Sequence, residues 1–271
     1  MKPRLATRVV GIIFGLLVAA YLILPALAVV PMAFSSGMFL EFPPPGYSMQ
    51  WIVRFFEDPE WVAALTRSLW VAAATAVVAA PLGTLASYAI LTASPRLARI
   101  NQPLLMLPMM VPVVISGFGL YLVTLLFRVQ GGLWLVVLAH IGLALPFVVI
   151  TVTASLRTFD FRLVRAARVH GATALQTFLK VVVPVIAPGI GAGVLIALMV
   201  SLDEAVVALF VAGDYEPTLP VRMFGSITYE LNPLVPVAAT VLTLSTFLLL
   251  GGALLLNTIS KRRTGAALKF G

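Results

Sequence analysis

Cysteine is absent from this chain of 271 residues. Its absence excludes a disulfide framework, a thiolate metal site and a cysteine nucleophile. Charge is scarce. Asp, Glu, Lys and Arg make up 10% of the residues, against ~25% in soluble domains. Only two histidines occur, and neither has a partner at ligand spacing, so a metal site finds no support. No G-x-x-x-x-G-K-[ST] loop is present, so the chain supplies no ATP site of its own. No Ser/His/Asp set or paired carboxylates point to catalysis. What remains is apolar: 61% hydrophobic residues and a mean hydropathy of +1.07. A cytosolic enzyme, a nucleic-acid reader and a disordered scaffold are all excluded.

A membrane span needs ~20 apolar residues to cross ~30 Å of hydrocarbon at ~1.5 Å per residue. Six segments qualify, at about 9–33, 68–93, 103–127, 132–155, 184–212 and 235–258. Each is a continuous run, not an alternation, which excludes a β-barrel. Helices satisfy their backbone internally, so the expected fold is all-α and polytopic, with six transmembrane helices. The first run is too long for a signal peptide and reads as a retained span.

Charge sets the expected orientation. With both termini inside, the segments 1–8, 94–102, 156–183 and 259–271 hold 14 bases and one acid, Asp160. The outer segments hold four bases and seven acids. Short inner loops rich in Lys and Arg are the expected pattern. The net charge of +8 thus follows from topology, and nucleic acid is not implied. The remaining acids, Asp203 and Glu204, fall inside the fifth span.

The expected layout is a peripheral span at 1–34 and an outer loop at 35–67. A five-helix core at 68–258 and a cytoplasmic tail at 259–271 complete it. In the outer loop, Trp51, Phe55, Phe56 and Trp61 follow Pro43-Pro44-Pro45-Gly46. That spacing suits either a helix lying at the outer interface or a plain aromatic belt.

The longest inner loop reads LRTFDFRLVRAARVHGATALQTFLKVVVP. Apolar residues recur at helical spacing on both sides of Gly171. Glycine there supplies a turn between two short helices. Pro184 opens the next span, where a missing N–H is harmless. Ala166, Ala167, Gly171 and Ala172 keep one side small, which lets another backbone approach. On composition alone, the five bases favour anionic lipid headgroups over a protein partner.

The loop resembles the EAA loop of permease subunits of bacterial ABC importers. The family pattern is Glu-Ala-Ala, three residues, Gly, nine residues, Ile, one residue, Leu-Pro. Its counterparts here are Arg165-Ala166-Ala167, Gly171, Val181 and Val183-Pro184. Asp160, Leu163, His170, Phe178 and Pro188 also fit such loops. Arg165 inverts the family's charge, so no ion-pair role is carried over to it. The stretches LPALAVVPMAFS, FPPPGYSMQW, SLDEAVVALFVAG and TLPVRMFGSI are similar to the polyamine (spermidine/putrescine) branch, PotC type.

The resemblance implies a type I, MetI-like permease fold in the bacterial inner membrane. It implies a second permease subunit in a heterodimer, a cytoplasmic ABC ATPase dimer and a periplasmic substrate-binding protein. ATP and magnesium would belong to the ATPase, and no cofactor to this chain. Residues 156–184 would be the coupling loop.

Ionisable groups inside spans are functional candidates by default. Asp203 lies 19 residues beyond Pro184, roughly 28 Å along a helix, in the outer half. Adjacent helical positions point ~100° apart, so at most one of Asp203 and Glu204 faces a path squarely. A facing carboxylate attracts an amine; the alternative is a helix-packing hydrogen bond. Ser201 just upstream serves either role. His140, alone among apolar residues, reads as a packing residue. Pro112 and Ser116 belong to a proline- and glycine-rich third span, and broken helices often line transport paths. Many polyamine-type permeases carry an acid where Val113 stands here, which leaves other small organic solutes open. Pro184, Pro188, Gly189, Gly191 and Gly193 suit either a hinge or close helix packing. An ion-coupled carrier using Asp203 or Glu204 is the alternative from another class.

Overall fold

The computed structural model of the protein describes residues 5–212, 216–229 and 232–267. Of the charges that set the expected orientation, Lys2, Arg4, Asp214, Glu230 and Lys269 lie outside the described residues. Among the described residues there is no β-strand, and the secondary structure is helical. Internal contacts divide the chain into two compact units, residues Met1–Val62 with Met223–Leu244 and Ala63–Arg222 with Ser245–Gly271.

In the first unit, α1 (Leu5–Ala33) is long and apolar enough to span a membrane. Its apolar side chains are exposed, including Phe14, Leu17 and Tyr21. A short antiparallel bridge joins Ser35 to Tyr47, and α2 (Gln50–Glu57) follows. The segment 35–67 therefore does contain a helix. Its aromatics, however, do not all turn to the membrane. Trp51 and Phe55 are buried, as is Trp61, whose ring lies 5.8 Å from that of Phe55. The Trp51 indole N–H donates to the Gly37 carbonyl at 2.9 Å. Phe56 alone of the four is exposed. The spacing of four in Trp51 and Phe55 marks a core-facing stripe.

In the second unit, α3 (Pro59–Thr92) contributes Ala76 and Ala79 to a core, and α6 (Leu133–Arg157) contributes Ala144, Val148, Val152 and Leu156. Val182, Ile186 and Ala197 complete it from the segment around α9 (Val183–Asp203). Small residues make these contacts close. A Cβ on Gly83 would collide with Val148, and one on Gly189 with Ser155. Gly193 faces Thr151 at 3.0 Å from such a Cβ. Gly189 and Gly193 thus serve close packing, and α9 runs through them as one helix.

The third expected span is not one rod. It is a bent pair, α4 (Pro95–Met110) and α5 (Val113–Phe127), meeting at 94°. Their 16 and 15 residues reach only ~22–24 Å each, short of ~30 Å. Val111 and Pro112 are extended at the corner, because the Pro112 ring disfavours helix at the preceding residue. The segment 94–102, expected as an inner loop, is mostly helix. Ser94 and Pro95 start α4 before the apolar run begins, since proline at N1 is preorganised for a helix.

The fifth expected span also ends early. α9 stops at Asp203, and a separate short helix, α10 (Val206–Val211), resumes after Glu204 and Ala205. Two further helices, α11 (Leu219–Tyr229) and α12 (Leu234–Ala267), complete the chain. Among the described residues, five helices are long and apolar enough to cross a membrane, or six spans with the bent pair counted as one.

Candidate functional site

The segment 156–184 folds as a helical hairpin. Asp160 starts it, its carboxylate accepting from the Arg162 N–H at 2.9 Å. Helix α7 (Arg162–Val169) runs to Gly171, whose φ is +85°. An L residue there pays a left-handed penalty, which explains the glycine. The Gly171 N–H returns to the Arg168 carbonyl, and that of Ala172 to Ala167, both closing α7. His170 is exposed and its Nδ1 lies 2.8 Å from the Ala166 carbonyl oxygen.

Helix α8 (Ala174–Thr177) opens on a capping box, in which Thr173 and Gln176 each satisfy the other's backbone N–H. A π turn at Phe178–Val182 then joins α8 to α9 without interruption. The result is one helical rod from Ala174 to Asp203, 30 residues long, or ~45 Å. Phe178 packs its ring 5.0 Å from that of Tyr88 on α3.

One side of this hairpin faces its own core. Phe161, Val164, Phe178 and Val181 pack against the buried cluster. The other side is uncovered. Leu163, Val169, Leu175 and Leu179 are exposed at 45%, 85%, 66% and 54%. Ala166, Gly171 and Pro184 are exposed beside them, with Ala167 and Ala172 half-buried. The Arg165 side chain is also exposed.

At the far end of the rod the two adjacent acids part. Asp203 is exposed and closes α9. Glu204 is buried, its side chain only 8% accessible. Its Oε1 accepts from the Val206 and Val207 N–H groups at 2.8 and 2.9 Å. Its Oε2 accepts from Val207 and Ala208 at 3.0 and 3.2 Å. A carboxylate over the first turn of α10 satisfies orphan N–H groups and complements the helix dipole.

His140 on α6 completes this arrangement and is almost fully buried, at 1%. Its Nε2 lies 3.2 Å from Glu204 Oε2, and its Nδ1 lies 2.7 Å from Ser201 Oγ. The carboxylate selects the tautomer with hydrogen on Nε2, which leaves Nδ1 to accept from the Ser201 hydroxyl. The N–H direction misses the carboxylate oxygen, so that contact is an attraction between the carboxylate and the ring's N–H dipole, not a hydrogen bond. Sequence reasoning treated His140 as lone packing and did not join it to residues 201 and 204.

The corner at Pro112 adjoins α10 through α5. Gly117 lies against Val207 and Phe210, where a Cβ would clash with the Phe210 ring. Val113 packs into the apolar cluster of Val207, Ala208 and Val211. Pro112 is exposed and Ser116 half-buried. The two broken helices therefore pack on each other through α5 and α10. The described residues contain no group of three or more His, Asp or Glu able to hold a metal ion.

Helices of spanning length, two of them broken, and a hairpin with an uncovered apolar face describe a subunit of a membrane transport assembly. The chain belongs to the family of binding-protein-dependent transport system inner membrane components, which it matches over residues 79–264. It is 28% identical over 248 residues to the spermidine/putrescine transport system permease protein PotC of Escherichia coli (strain K12), covering 91% of this chain and 93% of that one. It is 32% identical over 205 residues to the putrescine transport system permease protein PotI of the same organism, covering 73% of each. Its fold is similar to a solved bacterial ABC transporter involved in the import of the acidic polysaccharide alginate. There the TM-score is 0.70 at 17% identity, covering 94% of this chain and 95% of that one. The all-α, MetI-like permease fold follows, and the chain is a multi-pass transport subunit of the inner membrane, not an enzyme.

Proposed function

We propose that this subunit forms half of the translocation path of an ATP-driven importer for polyamine-like cationic solutes. Its termini are cytoplasmic, which places the hairpin 156–184 inside and Asp203 in the outer half. The uncovered face of α7 and α8 docks on a cytoplasmic ABC ATPase dimer, which carries the ATP and magnesium. A second permease subunit, in a heterodimer, supplies the other half of the path, and a periplasmic binding protein delivers the solute. Surrounding lipid covers the outward apolar faces, and nucleic acid has no place in the assembly.

One observation carries this reading: a single helix connects the docking hairpin to Asp203, an exposed carboxylate within an apolar segment. A carboxylate in such surroundings is costly unless it meets a positive charge. An ammonium group moving along the path provides that charge for part of each cycle. Val113 is occupied with apolar packing against α10. Asp203 is therefore the carboxylate this chain offers.

Reconstitution in liposomes with ATPase, second permease and binding protein tests the proposal. ATP-dependent uptake of putrescine or spermidine is expected, with Asp203→Asn lowering it at least tenfold. Uptake by this chain alone, without ATP, would overturn the importer reading. Equal uptake by Asp203→Asn would remove Asp203 from the path.

A further inference from the structure

We infer that His140 is a positioning residue that sorts the two adjacent carboxylates, holding Glu204 as a structural cap so that Asp203 alone meets the cargo. This deepens the path reading above and rests on it for the identity of the cargo.

Position in the helix supplies the first argument. Residues three apart share a helical face. Ser201 and Glu204 are three apart, and His140 touches both, one with each ring nitrogen. Asp203 is offset by ~100° from Glu204 on a helical wheel. A ring that grips 201 and 204 therefore turns 203 away from α6. The burial pattern agrees: Ser201 and Leu202 are buried, Glu204 nearly so, and Asp203 is exposed.

The second argument is where α9 ends. Neither glycine nor proline lies at 204 or 205, so no backbone peculiarity stops the helix. What stops it is the Glu204 side chain. It folds forward over α10 and takes three N–H groups there. A carboxylate so used still presents Oε2 toward α6. His140 Nε2 lies 3.2 Å from it there, and the N–H dipole of the ring holds the carboxylate on that side. Without it, Glu204 would be a buried charge facing only backbone dipoles, and reaching for water would draw it toward the path beside Asp203.

The third argument concerns alternatives. Bulk alone does not call for histidine at 140, since buried charged or polar groups add little net stability over apolar packing of similar volume. The pair makes sense as a device for specificity: it fixes which acid faces the cargo and how many do. With one free carboxylate at this level, this subunit engages one ammonium group at a time.

The natural absence of cysteine makes a positional test direct. In the assembled importer, the thiol of an Asp203→Cys variant is labelled with a small, cationic, membrane-impermeant thiol reagent. The labelling rate is compared with His140 intact, with His140→Ala and with His140→Gln. His140→Ala is expected to change the rate at least fivefold. His140→Gln, which keeps an uncharged donor and acceptor on one side chain, is expected to return it to within about twofold. In the chain with Asp203 intact, His140→Ala should raise the solute concentration for half-maximal uptake at least fivefold, with basal ATPase rate unchanged. A histidine that merely packs would lower only the amount of assembled protein.

Unchanged labelling and unchanged half-saturation in His140→Ala would overturn the inference. If His140→Ala fails to assemble, Glu204→Gln replaces it. That variant keeps the capping oxygen but not the charge, and the same fivefold change in labelling is expected; no change overturns the inference. The two readings fail separately. Asp203→Asn with normal uptake removes the path reading, whereas the labelling comparison reports the geometry of residues 201–204 whatever the cargo.

Discussion

Replacing Val169 and Leu175 together by serine isolates the docking face from the rest of the molecule. Both side chains project from the hairpin, at 85% and 66% exposure, so the isolated subunit loses little packing when they are cut. Full burial of a Val or Leu side chain contributes about 1.5–3 kcal/mol. Scaled by these exposures, seating both on a partner contributes about 2.3–4.5 kcal/mol, or roughly 40- to 1,700-fold in the dissociation constant. The measurement is a titration of purified ATPase onto the permease in lipid nanodiscs, with wild type alongside. Membrane insertion and thermal stability of the double variant should match wild type, because neither residue belongs to the buried core. ATP-dependent uptake should fall with ATPase occupancy and recover at high ATPase concentration. An unaltered dissociation constant would refute the assignment of this face to the ATPase. So would a loss of insertion equal to the loss of binding, since the residues would then be serving the fold.

Two other substitutions separate backbone from packing effects. Gly171→Ala has free space around its new methyl group but must hold φ near +85°. It should destabilise the hairpin turn by about 1–2 kcal/mol, seen as faster proteolysis at 168–173 and weaker ATPase coupling with normal insertion. Gly189→Val meets the reverse situation: helical backbone, but Ser155 in the way. It should separate α6 from α9 and lower thermal stability by about 1–3 kcal/mol; a wild-type melting temperature would contradict the packing role.

The parts of the architecture that local chemistry controls were readable in the sequence. The spans stand out as uninterrupted apolar runs, and the hairpin turn is announced by Gly171 between two periodic segments. The corner at Pro112 is a proline effect, and the broken third span was foreseen in kind, though not its 94° angle. Hydropathy hid the start of α4, because Arg96 and Arg99 make its first turns look like a loop. The role of His140 was hidden for another reason. Its partners lie 61 and 64 positions away on another helix, and a single sequence carries no signal for such pairing. The break at 204–205 had one faint local sign, an acid placed just before a fresh apolar run, which is a helix-start pattern. The aromatics of the outer loop misled in their surroundings: Trp51 and Phe55 have the spacing of an interfacial helix and of a buried stripe alike.

The π turn at Phe178–Val182 sets the rotational phase of everything beyond it. A turn of this kind holds one more residue than an α turn, and each residue along a helix rotates the chain by ~100°. The wide turn thus acts as a gear tooth between two faces: it lets Leu175 and Leu179 point outward while Gly189 and Gly193, further along the same shaft, still mesh with α6. Shortening the shaft there by a single position would rotate those glycines off their track by more than a quarter of a circle and carry Asp203 round with them.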